Sequence, residues 1–218
     1  MKTRISVVAF AAILAFSSCS KEHIKGNGTT VTETRTVSGF SKIDASGSSK
    51  VYVTQGAFFK VEVKGYSNLL PYYETKQVNN TLQLGYKQDV NVKNDNIEVY
   101  VTLPALTGLE LEGSGDIHTA GVFAGNATFE AKISGSGNIY FSNGTTNQYN
   151  ATISGSGNIY TLDMVTDKAD IDISGSGSTE ITALTQLKVK IAGSGNVYYR
   201  GTPVITTNIS GSGAVLPK

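Results

Sequence analysis

The side chains with the most chemistry to offer are few: Cys19 is the only cysteine, and His23 and His118 are the only histidines. Cys19 stands behind an apolar run from Val7 to Phe16 and the small residues Ser17 and Ser18, with Lys2 and Arg4 ahead of the run. That order reads as a signal peptide over residues 1–18 closing in a lipobox. The apolar run is too short to span a bilayer. The thiol is therefore expected to be acylated, holding the mature chain to a membrane at about 0.8 kcal/mol per buried CH₂. It is then lost to disulfide and thiolate chemistry, and two histidines make a poor metal centre. No metal, cofactor or catalytic residue is expected.

The carboxylates are the groups that hydrolysis or calcium binding would use. Asp170 and Asp172 flank Ile171 and are expected to point outward together, with Asp163 and Asp167 in the preceding segment. A carboxylate pair or a calcium site would use such groups. With Lys188, Lys190 and Arg200 nearby in sequence, a solvated face is the favoured reading. Asp116 and His118 share one coil and are expected to face opposite sides, which argues against an acid–base dyad. Eighteen basic and seventeen acidic residues give a net charge of +1, so no nucleic-acid footprint is visible.

The elements that position these groups are set by a repeat. Gly-Ser-Gly begins at Gly113, Gly135, Gly155, Gly175, Gly193 and Gly211, at spacings of 22, 20, 20, 18 and 18 residues. A turn triplet at a period near twenty marks a solenoid. Two positions before each first glycine stands Leu111, Ile133, Ile153, Ile173, Ile191 or Ile209. Period-2 alternation puts this column inside, together with Ile117, Ile139, Ile159, Thr179, Val197 and Val215 after the triplets. The corner is assigned to Gly113, Gly115, Gly135, Gly137, Gly155, Gly157, Gly175, Gly177, Gly193, Gly195, Gly211 and Gly213. Glycine reaches φ > 0 and lets corners stack, and the serine side chain is expected to bond the corner backbone. Asp116, Asn138, Asn158, Ser178 and Asn196 follow the triplets, and their side chains are expected to hydrogen-bond up the column.

The predicted architecture is all-β: a single-domain right-handed parallel β-helix with coils of about 20 residues and rungs ~4.8 Å apart. Residues 19–35 are apolar-poor and are expected to be a flexible tether, with the β-helical domain over 36–218. Gly47 looks like a degenerate first copy. The 66 residues from Gly47 to Gly113 would make three more coils, about eight rungs in all. Pro71-Tyr72-Tyr73 is expected to be a loop that caps the front of the stack or touches a partner. The last rung, with nothing long enough to cap it, is expected to meet another chain or stay poorly protected.

Five positions after each first glycine lies an outward column: Tyr52, His118, Tyr140, Tyr160, Glu180, Tyr198 and Leu216. Tyr140, Tyr160 and Tyr198 are the candidate binding face, offering ring faces to a glycan or an aromatic patch to a protein. Outward tyrosines also simply suit strands.

Ile-Ser-Gly-Ser-Gly-Asn-Ile-Tyr (Ile133–Tyr140 and again Ile153–Tyr160), with Val78-Asn-Asn-Thr-Leu82 before it and a lipoprotein signal, resembles the putative auto-transporter adhesin head GIN domain family. The resemblance spans Val37 to Val215. It implies a pectin-lyase-like β-helix on a secreted or surface protein of Bacteroidota, cell adhesion, trimeric assembly and no catalytic residues. The expected role is a non-catalytic outer-membrane lipoprotein, its domain facing either the periplasm or the outside, that recognises a glycan or an extracellular protein. A carbohydrate-active enzyme on the same scaffold and a purely structural, self-associating envelope protein are the alternatives.

Overall fold

Gly47, Gly113, Gly135, Gly155, Gly175, Gly193 and Gly211 lie one above another in the computed structural model, which describes residues 22–218. Each is the lateral partner of the next across parallel strands. The signal peptide over 1–18 and the acylation of Cys19 lie outside the described residues.

In chain order the strands are β1 (Glu22–Lys25), β2 (Thr30–Arg35), β3 (Lys42–Gly47), β4 (Lys50–Gln55), β5 (Lys60–Tyr66), β6 (Tyr73–Val78), β7 (Thr81–Tyr86), β8 (Val90–Lys93) and β9 (Glu98–Leu103). There follow β10 (Gly108–Gly113), β11 (Asp116–Ala120), β12 (Phe123–Gly135), β13 (Asn138–Tyr140), β14 (Gly144–Gly155), β15 (Asn158–Gly175), β16 (Thr179–Gly193), β17 (Asn196–Arg200), β18 (Val204–Gly211) and β19 (Ala214–Pro217). All but β1 and β8 belong to one hydrogen-bonded sheet wound into a solenoid.

The corner explains why the triplet reads Gly-Ser-Gly. The first glycine sits at φ +94° to +139° in every copy, where a side chain is strained. Its carbonyl accepts two bonds from the rung above: Gly135 O takes the N–H of Ser156 at 2.9 Å and of Gly157 at 3.1 Å. The same pair forms at Gly47, Gly113, Gly155, Gly175 and Gly193. The second glycine is buried against the rung below, and a Cβ on Gly157 would lie 2.1 Å from Gly137 O. The serine contributes its backbone N–H; its side chain is exposed, contrary to the expectation that the hydroxyl ties the corner. The Asn column forms as expected. Asn138 Nδ2 donates to Asp116 Oδ1 at 3.1 Å, Asn158 Nδ2 to Asn138 Oδ1 at 3.0 Å, and the N–H of Ser178 to Asn158 Oδ1 at 3.0 Å.

The aliphatic columns face inward. Leu111, Ile133, Ile153, Ile173 and Ile191 are buried, as are Ile117, Ile139, Ile159 and Val197. On the third side Phe129 and Tyr149 fill the interior. Buried Thr146 and Thr166 pin the remaining corner, Thr166 Oγ1 donating to Lys168 O at 2.9 Å. Burial pushes the Tyr149 hydroxyl up to about 12, against the Thr161 hydroxyl, which bonds it at 3.2 Å and pulls it down. The folded state thus holds this proton more tightly than the unfolded chain, whose value is near 10.0. Its contribution is intact below pH 10 and is lost as pH rises toward 12. Tyr149→Phe should therefore release about one proton fewer on unfolding near pH 11, read from the pH dependence of urea midpoints.

The first part of the stack departs from the sequence reading. Gly47 lies one rung below Gly113, not three. The 66 residues between them build one further rung and a cap. Strands β7 and β9 run parallel beneath β3 and β4. Beyond them β6 pairs antiparallel with β7, β5 with β9, and β2 with β5. The corners number seven, so six coils separate Gly47 from Gly211 rather than about eight. Leu69, Leu70 and Tyr73 are buried under this cap, as the Pro71-Tyr72-Tyr73 reading expected. Tyr73 and Tyr86 are both held protonated by burial. Residues 22–35 are not a tether: β1 pairs with β8, and β2 is an edge strand of the cap. An edge strand is held by its backbone ladder and need not bury a face, so its polar Thr-Val-Thr-Glu-Thr-Arg gave no hydrophobic signal.

Candidate binding face

The strand leaving each triplet corner turns its third residue outward. Successive residues alternate sides, and the inward residue just before it (Ile117, Ile139 or Ile159) fixes the register. Lateral pairing then stacks Tyr100, Tyr52, His118, Tyr140, Tyr160, Glu180, Tyr198 and Leu216 in one column. The first five are aromatic and stack as a continuous ladder. Ring centroids lie 5.2, 5.5, 4.5 and 4.9 Å apart, with planes within 4° to 18° of parallel. This spacing is the rung spacing, so the backbone ladder imposes it.

That geometry decides what the face can offer. The ring faces cover one another, and the exposed surface is a row of ring edges and phenol oxygens. Tyr100, Tyr140 and Tyr160 are each 37% exposed. The expectation that a sugar would stack on the ring faces therefore fails within the ladder; a ligand must meet edges and hydroxyls. Tyr140 and Tyr160 are neighbours, as expected. Tyr198 belongs to the same column, but Glu180 stands between it and Tyr160 and breaks the aromatic run.

Tyr100 was missed, and it has a signal: Val99-Tyr100-Val101 repeats Val51-Tyr52-Val53, its lateral partner. Tyr100 Oη donates to Glu98 Oε2 at 2.9 Å, and Lys64 Nζ donates to the same oxygen at 2.9 Å. The Lys64 bond, then the Tyr100 bond, holds Glu98 below the usual carboxylate range, while the Glu98 carboxylate raises Tyr100. Burial, then the nearby Asp116 carboxylate, raises Tyr140. The Asn column flanks the ladder on one side; Thr54, Thr102 and Ala120 flank part of it on the other.

Asp116 and His118 are not on opposite faces. They are two residues apart in β11 and share a side, which the period-2 rule requires. They still form no dyad: Asp116 Oδ1 accepts from Asn138, and the His118 ring lies between Tyr52 and Tyr140.

The outward side of the strands running into the corner is different in kind. Lys42 reaches across Gly108 to Glu130 at 2.6 Å, and Lys132 pairs with Glu110. Lys188 pairs with Asp170 at 2.8 Å and Lys190 with Asp172 at 3.0 Å. Asp170 and Asp172 thus point outward together as expected, each tied to a lysine one rung on. Such exposed pairs stabilise by about 0–1 kcal/mol each. A shallow groove of about 370 Å³ lies over Gly108, with Lys42, Asp44, Glu110 and Lys132 around it. Burial, then Glu110 and Glu112, raises the Asp44 carboxyl, and Lys132 opposes them.

The stacked triplets, the ladder and the wound sheet coincide with a family match. The family described as "putative auto-transporter adhesin, head GIN domain" matches residues 39–203. The chain belongs to this family. Three solved structures share the head GIN fold of this chain at identities that speak to fold alone. A putative adhesin from Bacteroides fragilis is 21% identical with a TM-score of 0.75, over 89% of this chain and 100% of that one. A putative lipid binding protein from Parabacteroides distasonis is 23% identical with a TM-score of 0.60, over 90% and 100%. A putative adhesin from Parabacteroides merdae is 20% identical with a TM-score of 0.58, over 90% and 99%. No curated protein matches this head GIN domain.

Proposed function

We propose that the protein is a non-catalytic, adhesin-like recognition module of the cell envelope that binds its ligand on the aromatic-ladder face. Acylation of Cys19 would anchor it to the outer membrane. The observation that carries this reading is the contrast between two outward faces. One is laced with lysine–carboxylate pairs. The other carries five stacked rings; its charged groups, Lys50, Lys64, Glu98 and Asp116, stand beside the first three rings, and the Asn column alone flanks Tyr140 and Tyr160 on that side. A rigid, weakly hydrated strip needs little reordering when a partner meets it, so binding there loses little to entropy. The ring edges and hydroxyls suit a hydrogen-bonding ligand, either a glycan chain laid along the column or an extracellular protein.

The test is binding of the purified protein to arrayed glycans and extracellular-matrix proteins, with product analysis of the same glycans for cleavage. Tyr140→Ser with Tyr160→Ser should weaken binding at least about tenfold, the scale of one modest hot spot. Lys188→Ser on the ion-paired face should leave binding unchanged. Full binding by the folded double variant would remove the ladder from the reading. Cleavage of an arrayed glycan would replace the adhesin with the enzyme alternative.

A further inference from the structure

We infer that the ladder face binds a neutral, extended polysaccharide: pyranoses joined through equatorial bonds, lying along the column with one sugar to each rung. This choice of ligand rests on the ladder being the binding face, and it adds the ligand's chemistry, direction and length. Each of the five aromatic rungs carries a second polar side chain two residues before its ring: Glu98, Lys50, Asp116, Asn138 and Asn158 in rung order. Side chains two apart in a strand share a side, so the face holds two parallel rows, one of ring edges and one of polar groups. Both rows repeat with the rungs, and the ring centroids step by 5.2, 5.5, 4.5 and 4.9 Å.

The groups in these rows suit sugar hydroxyls. A phenol both donates and accepts, and an Asn amide nitrogen has two N–H donors. Asn138 Nδ2 uses one on Asp116 Oδ1 and Asn158 Nδ2 uses one on Asn138 Oδ1, so each keeps an N–H for a ligand. The charges along the strip cancel. Lys50 and Lys64 stand against Glu98 and Asp116, and Lys64 is already bound to Glu98 at 2.9 Å. A polyanion therefore finds no field of opposite sign to hold it, and a neutral chain meets no repulsion.

Spacing separates the polymers that fit such rows. An extended peptide laid along the column presents one side only at every second residue, about 6.8 Å, and falls out of step within two rungs. An equatorially linked pyranose chain is a nearly straight ribbon in which each sugar advances by close to one rung, with hydroxyls along both edges. It keeps step with all five rings. An axially linked chain coils away from a flat face and does not. Because the ring faces cover one another, each sugar lies across the two rows, between a phenol oxygen and a polar side chain, and not stacked on a ring. Glu180 sets the length. It continues the column after Tyr160 without a ring, pairs with Lys218, and separates Tyr198 from the ladder. The continuous contact is therefore five sugars long, one for each stacked ring.

Calorimetric titration of the purified protein with cello-, manno- and chito-oligosaccharides of graded length tests it, beside malto-oligosaccharides as the axially linked control. In at least one equatorial series, affinity should rise severalfold with each added sugar and level off at about five, while maltohexaose binds at least about tenfold more weakly than the hexamer of that series. Tyr140→Phe with Tyr160→Phe keeps the stacked rings and removes two hydroxyls, and affinity for the pentamer should fall about tenfold. Glu180→Tyr joins Tyr160 to Tyr198 in one run of seven rings, and the plateau should move to about seven sugars. No binding in any of the three equatorial series, affinity independent of length, equal binding of the maltose series, or an unmoved plateau in the folded Glu180→Tyr variant would each overturn this ligand. If all the oligosaccharides fail while an arrayed protein loses binding to the Tyr140→Ser, Tyr160→Ser variant, the polysaccharide falls and the ladder reading stands. Full binding by that variant removes both.

Discussion

Gly155→Ala should lower the unfolding free energy by about 3–5 kcal/mol, whereas Gly47→Ala in the same motif should cost only about 1 kcal/mol. Both glycines have positive φ, +128° and +94°, so both variants carry the strain of a side chain in that region. What differs is the rung below. A Cβ on Gly155 would stand 2.3 Å from Gly135 O, the oxygen that receives Ser156 and Gly157 N–H. The backbone must move, and the two bonds that stitch the corner move with it. Around Gly47 a Cβ meets nothing within 4 Å, because the chain beneath diverges into the cap. Urea denaturation of the two variants beside wild type measures the difference. Equal losses would mean that conformational strain, and not stacking, sets the need for glycine.

Ile153→Ala should cost about 2–5 kcal/mol, and Ile209→Ala about 1 kcal/mol or less. The two residues occupy one column at different rungs. Ile153 is fully buried between Ile133 and Ile173, so its truncation leaves a cavity that rigid flanking rungs cannot collapse. Ile209 lies above Ile191 with nothing described over it, and water can fill the space. Thermal or urea unfolding at low protein concentration separates the cases.

How far the sequence could be read depended on whether a feature repeats. The Leu/Ile column, the triplet corner and the Asn ladder recur with every rung, so each copy confirms the others. The region from Val51 to Leu103 carries no Gly-Ser-Gly triplet, and its one short repeat, Val51-Tyr52-Val53 at Val99-Tyr100-Val101, stands off the twenty-residue period. Its Val61-Glu-Val63 and Leu82-Gln-Leu84 alternate correctly, but alternation has the same period in parallel and antiparallel pairs. Three coils of 22 residues fitted the gap from Gly47 to Gly113 only as arithmetic. The chain instead doubles back, and β2, which looked like tether, closes the end. Tyr100 went unseen for the same reason: its place in the column depends on β9 lying under β4, a pairing 48 positions distant in sequence.

The candidate face shows the same division. The outward column was legible because side chains alternate strictly along a strand. That its rings stack face to face, hiding the surfaces a sugar would use, follows only from the rung spacing and the shared rotamers of neighbouring tyrosines.

The sequence by itself determined the repeating unit: which residues point inward, where the chain bends, and why glycine stands there. These are local requirements, met again in each coil within about twenty residues. The tertiary structure alone decided where the stack begins, which end is closed, and which aromatic side chains touch. Those outcomes depend on strands that pair across long, aperiodic stretches of chain, and no local pattern of side chains encodes the direction of a partner.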